Sequence, residues 1–562
     1  MISCEQVSTQ PLEHLGLIAA IIKRIGLEDK IDSRLPLNEN KGVKVGMGKR
    51  VIAMIMNGLG FVDDRLYMFP QFLENKPIDR LFGPDIIADY FNDDALGRCL
   101  DAIHNYGITL LFTEIAFEIA TEYGLLGKTA HMDSTSLSVY GDYANSDIPN
   151  LISYGYSKDK RPDLKQILLT LGVTGKANFP IWMSSHNGNA SDKITLQRCA
   201  DRLCKLTQGI KEAPAFIFVG DSAMYEKCVE KGGDMLWLSR VPNSHKKAKN
   251  LLATQYEKLS WSTVDDRGYQ VAPLFCEDYK GVKQRWVIVF SQQMHKRESV
   301  TLKKRQEKEY KEMMRKLNSL KSQQFSCESD AFKSMNVLRK RLKYHHLHIE
   351  VKSKKRHANC GRPKADSNPV LIYSAEGFLT SDTQAMELYE QKLGRFILAT
   401  NQLDIKELSD VEMLHEYKNQ THVETGFRFI KGDCFEVSSV FLKKPSRVEA
   451  LMMIMTLCLM IYGLAQYSLR DSLNKNKDTL PNQLKKETAK PTIAWIFRLF
   501  NGVNIVHIRL HKGLQTLVSN ITPILEKIIR YFGPTAMKIY DILGTRNEVV
   551  KGGLFSEQHV SA

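Results

Sequence analysis

The sequence predicts an α/β core, interrupted by a large insertion and flanked by all-α regions at both ends. Three observations carry that expectation. Apolar residues recur with helical period through residue 127, then switch to strand-like alternation at Lys128. Strands and helices then alternate in the order β-β-β-α-β-α-β up to about residue 243. A long stretch, basic in its later half, separates them from an amphipathic helix over residues 417–432.

The N-terminal region, 1–127, holds "HLGLIAAIIKRIGL", "GKRVIAMIMNGLGF" and "ALGRCLDAIHNYGITLLFTEIAFEIATEYGLL", which are helical patterns split by "LPLNENKG" and "FGPD". Such a helical module can bind DNA, the expectation here, or a partner, and no recognition helix is identifiable within it. The first core segment, 128–243, opens with "TAHMDSTSLSVYG", a Thr/Ser/Val-rich strand, followed by the strands "QILLTLGVTG" and "FPIWMSSHNG". A Ser/Asp cap starts the helix "SDKITLQRCADRLCKLTQGI". Next come the strand "AFIFVGDS", the helix "AMYEKCVEKGG" and the strand "MLWLSRVP".

With the 417–432 helix as its last member, the order β-β-β-α-β-α-β-α is the skeleton of an RNase H-like domain. That helix should follow within a few residues in a compact domain. Here about 150 residues intervene, so 244–394 reads as an insertion: β-like "YEKLSWSTVDDRGYQV" and "QRWVIVFS", then a basic helical hairpin from about 298 to 345, closed by the loop "SKKRHANCGRPKADSNP". The second core segment, 395–470, begins with the strand "GRFILATN" and carries the helix. The remaining 471–562 reads as a polar linker followed by helices.

Composition narrows the partner. Lys plus Arg number 78 against 63 Asp plus Glu, a net +15 over 562 residues. Residues 296–364 alone hold 21 Lys/Arg against 7 Asp/Glu, so nearly all the excess sits in the insertion and favours a polyanion there. The ten cysteines form no C-x-x-C pair, and no secretory n-region precedes the short apolar "LGLIAAII". Reduced thiols, no structural zinc and a cytoplasmic, nucleoid-associated protein are expected. His345, His346, His348, His357 and Cys360 match no zinc spacing and read as a loose surface cluster. "VEALMMIMTLCLMIYGLAQY", 448–467, is long enough to span a bilayer, but Glu449 and Gln466 intrude at its ends, so a buried core helix is expected and no membrane partner.

Phosphoryl transfer by divalent ions needs several carboxylates from different elements. In this topology they come from the first strand, the end of the fourth strand and the last helix. Asp133 lies in the first strand among small hydroxyl neighbours; Asp221 ends "FIFVGD", where α/β sheets bind ligands. On the last helix, at about 100° per residue, Gln420, Glu424, Arg428 and Lys431 fall within roughly 80° of one another together with Tyr417. Glu416 and Glu412 point elsewhere on that wheel. A solvated stripe has no need of Tyr417 or of the adjacent "FRF" aromatics.

These residues resemble a known family. Tyr417-x2-Gln420-x3-Glu424-x6-Lys431 is similar to the Tyr-x2-Arg-x3-Glu-x6-Lys signature of DDE transposases of bacterial insertion sequences, with Gln420 in place of Arg. "DSTSL", "GYSKDKRPDLKQ" and "FVGDSAMY" look like that family's regions around the first and second acids. The resemblance implies a cut-and-paste transposase in which Asp133, Asp221 and Glu424 hold two Mg²⁺, with Mn²⁺ able to substitute. It also implies contacts to DNA by Tyr417, Gln420, Arg428 and Lys431. The implied partners are double-stranded terminal inverted repeats, target DNA and a second copy of the chain. A structure-specific nuclease on the same fold, or a non-catalytic DNA-binding relic, would share most of these residues.

Overall fold

The computed structural model describes residues 4–37, 43–60, 68–143, 147–208, 213–231, 235–265, 268–356, 369–432, 442–510 and 513–542. The chain forms two compact units, Met1–Trp237 with Glu416–Ala562, and Leu238–His415.

The first unit starts with a strand, β1 (Cys4–Pro11), and continues through helices that include Leu15–Arg24, Met47–Leu59, Asp93–Tyr106 and Ile108–Glu122. Asn92 caps the third of these, its side-chain oxygen accepting from the Ala95 amide at 3.0 Å. The strands β2 (Thr129–Val139), β3 (Lys165–Thr174) and β4 (Phe179–His186) follow, then helix α1 (Asp192–Gln208), β5 (Ile217–Gly220) and helix α2 (Ser222–Lys231). Strand β6 (Leu236–Arg240) crosses into the second unit.

That unit contains β7 (Ser262–Asp265), β8 (Tyr269–Tyr279), β9 (Val282–Ser291) and the helices Gln292–Lys321 and Glu328–Arg339. Strands β10 (His345–Arg356), β11 (Val370–Ser381) and β12 (Arg395–Thr400) complete it. Helix α3 (Asp410–Asn419) leads back to α4 (Thr421–Ile430) and α5 (Pro445–Lys475) in the first unit. Strands β13 (Asn504–Leu510) and β14 (Gly513–Ser519) precede two short final helices.

Both units are mixed α/β. In the first the strand order is β4-β3-β2-β5, with β2, β3 and β4 an antiparallel meander and β5 parallel to β2. Strand β3, "KQILLTLGVT", is buried beyond its first residue, as its nearly unbroken apolar run requires. Helix α1 packs on β2, β3 and β4, and α4 packs on β2 and β3. In the second unit β6, β12, β9, β8 and β7 are successive neighbours. Helix α5 is long and apolar enough to cross a membrane, yet 72% of its most apolar window is buried against other elements of its own unit.

Three expectations change. The terminal regions are not all helical: β1 pairs antiparallel with β13, Val7 opposite Ile508, and β13 pairs with β14. The expected polar linker after Arg470 is ordered, finishing α5 and then pairing Leu480–Pro481 with Glu487–Thr488. Asp478 within it accepts hydrogen bonds from Lys527 Nζ at 2.7 Å and from the Tyr531 hydroxyl. Finally, the basic helices of the insertion do not stand alone. They pack Met313, Leu317, Ala331 and Met335 onto Leu347 and Ala375 of a twelve-residue ribbon, β10–β11. His345, His346 and His348 meet separate partners, Glu309, Asp382 and Thr380. His357 and Cys360, with the rest of the 357–368 loop, lie outside the described residues.

Two acids couple folding to pH. Hydrogen bonds from Arg447, Nε and Nη2 each at 2.7 Å, hold the Asp101 carboxyl below the ordinary range despite partial burial. Burial opposes ionisation of Asp478, but the bonds from Lys527, Tyr531 and the Thr479 amide outweigh it. A depressed folded value means stability present above the unfolded value, about 4, and lost as pH falls through the folded one. Urea midpoints should therefore drop steadily below about pH 4, and Asp101→Asn should flatten some of that acid-side slope.

Candidate active site

Strand β2 supplies the first group. Its alternation puts Thr129, His131 and Asp133 on one face. Asp133 is the register partner of Leu171 on β3, and directly opposed residues project to the same side of a sheet. Leu171 and Val173 form a buried cluster with Val423 and Phe427 of α4. The Asp133 carboxylate thus points to the face that α4 covers. It is half-buried, and its Oδ1 accepts from the Ser134 amide at 2.7 Å.

Asp221 follows β5 directly. The parallel register pairs Thr129 with Ile217, Ala130 with Phe218 and His131 with Val219. Continued for two more residues, it brings Asp133 level with Asp221 on a neighbouring strand, roughly 5 Å away in backbone spacing. Asp221 is exposed at the carboxyl end of its strand and starts α2, its Oδ1 accepting from the Ala223 amide at 2.9 Å.

Glu424 stands on α4, exposed, one residue from the buried Val423. The helix is seated closely because residue 426 is glycine. A Cβ there would lie 3.0 Å from Leu171 Cδ2 and 3.1 Å from Leu459 Cδ2. Contacts at either side of Glu424 define its place along β2. The His422 ring lies 6.4 Å from that of His131. At the far end Lys431 Nζ meets both oxygens of Asp159 at 2.8 Å, while the adjacent Lys158 donates to the Ser134 carbonyl at 2.5 Å. Helix α4 therefore runs along β2 in the same sense, and Glu424 lies about 3 Å further along it than His422 and about 200° round the helix from it.

The single helix expected over 417–432 is instead two helices. The break falls at Gln420, which keeps helical angles (φ −55°, ψ −25°). Its amide reaches Tyr417 O at 3.4 Å, and the Val423 amide reaches Gln420 O at 3.1 Å, both three residues back. Such tightening advances the phase by more than 100° per residue, so a uniform wheel misplaces groups across it. Tyr417 sits half-buried on α3, Gln420 half-buried at the junction, and Arg428 exposed on α4, where its Nη2 donates to Thr425 Oγ1 at 3.1 Å. Lys431 ends α4.

Glu416, which the sequence wheel set aside, falls at about 100° per residue between Val423 and Phe427, on the face that packs on the sheet. Glu416 is partly buried and accepts from Thr129 Oγ1 at 2.5 Å, with His131 Nε2 at 3.3 Å. Burial opposes its ionisation, but the bonds from His131 and Thr129, with His422 nearby, hold its carboxyl below the ordinary glutamate range. Burial and the neighbouring His131 push the His422 imidazole down. The available signal was the period-two run Thr129, His131, Asp133, which places two polar groups on the face of the acid.

The carboxylates offer hard oxygen donors without imidazole or thiolate, the donor chemistry that suits a divalent ion such as Mg²⁺. Among the described residues, no three His, Cys, Asp or Glu are gathered closely enough to hold a metal ion. Asp133, Asp221 and Glu424 suit such an ion by donor type, without being gathered round one point.

A family model described as a transposase DDE domain matches residues 128–461, and one described as a domain of unknown function (DUF4277) matches residues 7–117. No curated protein matches the sequence significantly. Among solved structures, the chain is similar to a piggyBac transposase in a synaptic complex with hairpin DNA, seen by cryo-EM. The two share 9% identity over 88% of this chain and 82% of that one, with a TM-score of 0.34.

Two substitutions separate the tight seat of α4 from its exposed end. Gly426→Val should cost roughly 1–3 kcal/mol in a denaturant melt, because neither leucine can move away freely. Asp159→Asn, which breaks a solvent-accessible pair, should cost less than about 1 kcal/mol in the same melt.

Proposed function

This chain belongs to the transposase DDE domain family, and from that premise we propose that it cuts DNA at the inverted-repeat ends of an insertion sequence and joins the freed ends to target DNA. The observation that carries the proposal is the parallel register of β2 and β5, which, continued two residues, sets Asp133 level with Asp221 on the side of the sheet where α4, the helix that bears Glu424, packs. The order β4-β3-β2-β5, with β5 parallel to β2, supports an RNase H-like core.

In this proposal Asp133, Asp221 and Glu424 hold two Mg²⁺, with Mn²⁺ an acceptable substitute. When bound, such ions make water or a sugar hydroxyl nucleophilic and stabilise the departing oxygen. The chain's own groups supply position. Lys431, Arg428, Tyr417 and Gln420 bind phosphates beside the cleaved bond, with Gln420 giving a neutral contact where the family signature carries Arg. Water attacks one phosphodiester and releases a 3′-hydroxyl. That hydroxyl attacks a target phosphodiester, forming one ester as another breaks. The basic helix Gln292–Lys321 and the β10–β11 ribbon grip duplex DNA, and a second copy of the chain holds the other end of the element.

Purified protein with Mg²⁺ should join a donor fragment carrying the repeats that flank its gene into a plasmid. Cleavage without joining would point to a nuclease, and binding alone to a relic. Asp133→Asn, Asp221→Asn and Glu424→Gln should each leave less than about one hundredth of the joining activity, the upper end of what loss of a mere ligand-supporting group costs. Full activity in Asp221→Asn would remove that acid from the set. Affinity for duplex DNA should fall by about 10³ between 50 and 200 mM salt if about six phosphates are neutralised.

A further inference from the structure

Glu416 belongs to none of the roles above, yet it is the carboxylate most firmly tied to the strand that carries Asp133. Thr129 and His131, 6% and 3% exposed, both address its Oε2. The Thr129 hydroxyl also lies 3.3 Å from His131 Nε2, so the three groups close a small triangle. His131 Nδ1 is buried with no hydrogen-bond partner, so Nε2 is the nitrogen placed to donate.

Beyond Glu416, helix α4 meets this sheet through Val423, Gly426 and Phe427 against Leu171 and Val173, and is tied at its far, solvent-accessible end by Lys431 to Asp159. Apolar contacts of this kind are non-directional and leave a helix free to slide or roll by fractions of an ångström. Hydrogen bonds to a charged oxygen are directional, and burying that charge is costly unless its partners are well aimed. The junction between α3 and α4 is one residue long and bonded on both sides, so a position fixed at Glu416 passes to α4.

We propose that Glu416 is a positioning residue: by binding Thr129 and His131 it sets the register of α3 and α4 on β2, and so where Glu424 stands relative to Asp133. The proposal rests on the reading of Asp133, Asp221 and Glu424 as the metal-holding set. Glu416 itself holds neither metal nor DNA.

The test uses the full chain, wild type and the variants Glu416→Ala, Glu416→Gln and Thr129→Val. Hydrogen–deuterium exchange over residues 421–430 is measured without metal, and Mn²⁺ affinity by titration followed by electron paramagnetic resonance. Glu416→Ala should speed exchange in that segment about tenfold and weaken Mn²⁺ binding about tenfold. Glu416→Gln keeps an acceptor oxygen for Thr129 and His131 and should stay within about threefold of wild type in both. Equal losses in the Ala and Gln variants would show that charge rather than bonding geometry matters, and would overturn the proposal. So would a Glu416→Ala protein unchanged in both measurements. Should Glu416→Ala fail to fold, Thr129→Val removes one bond of the two; an intermediate effect supports the proposal and no effect overturns it. Wild-type protein that neither binds Mn²⁺ nor cuts DNA would sink the assignment of the three acids, while the exchange comparison would still decide whether Glu416 positions α4.

Discussion

The arrangement of acids depends on how closely one helix can lie on one strand pair. Gly426 is the point of nearest approach, with Leu171 beneath it and Leu459 beside it. A side chain there would have to displace Leu171, Leu459 or the helix itself. Because Leu171 is the register partner of Asp133, the contact that seats the helix also fixes which face the aspartate uses. Packing and chemistry are therefore set by the same pair of residues. The acid can project only where its cross-strand neighbour is covered.

A division of labour follows along this face of β2. Thr129 and His131 are buried and spend their polar groups on Glu416, whereas Asp133 is half-buried and Asp221 and Glu424 are exposed. Polarity at one end of the strand is internal and turned toward Glu416, with His131 Nδ1 left unpaired. At the other end it opens toward solvent, in keeping with the proposed entry of a phosphodiester there. Hydrogen bonds to charged groups are worth more under cover, which makes the closed end the natural anchor and the open end the natural workplace.

Much of this was legible in the sequence, and for local reasons. The alternation in "TAHMDSTSLSV", the apolar run of β3 and the acid closing "FIFVGD" each depend on a few neighbouring residues, and they place Asp133 and Asp221 on the elements where the structure has them. What escaped depends on distant partners. Strand β1, "CEQVSTQP", is too polar to declare itself until β13 is beside it. The chain from Asp471 to Pro491 looked like a linker because Asp478 finds Lys527 and Tyr531 some fifty residues later. The β10–β11 ribbon was masked by the lysines of its first strand, although Leu347, Ile349 and Val351 share one face with Ala375 and Leu379. The break at Gln420 leaves no mark in composition at all, and the partners of Glu416, Thr129 and His131, lie almost three hundred residues before it.

The β1–β13 pairing has a temporal side. Cys4 is opposite Leu510, so about 500 residues must be made before the first strand can meet its neighbour. At typical elongation rates of 5–20 residues per second, that is roughly 25 to 100 s in which β1 waits as an open edge. Its polar composition suits the wait, since an apolar strand left unpaired for so long invites association with other nascent chains. The sheet that joins β1 to β13 is thus a late event, closed only once about five hundred further residues have been made. A product terminated before β13 would carry its core strands but never gain that closure.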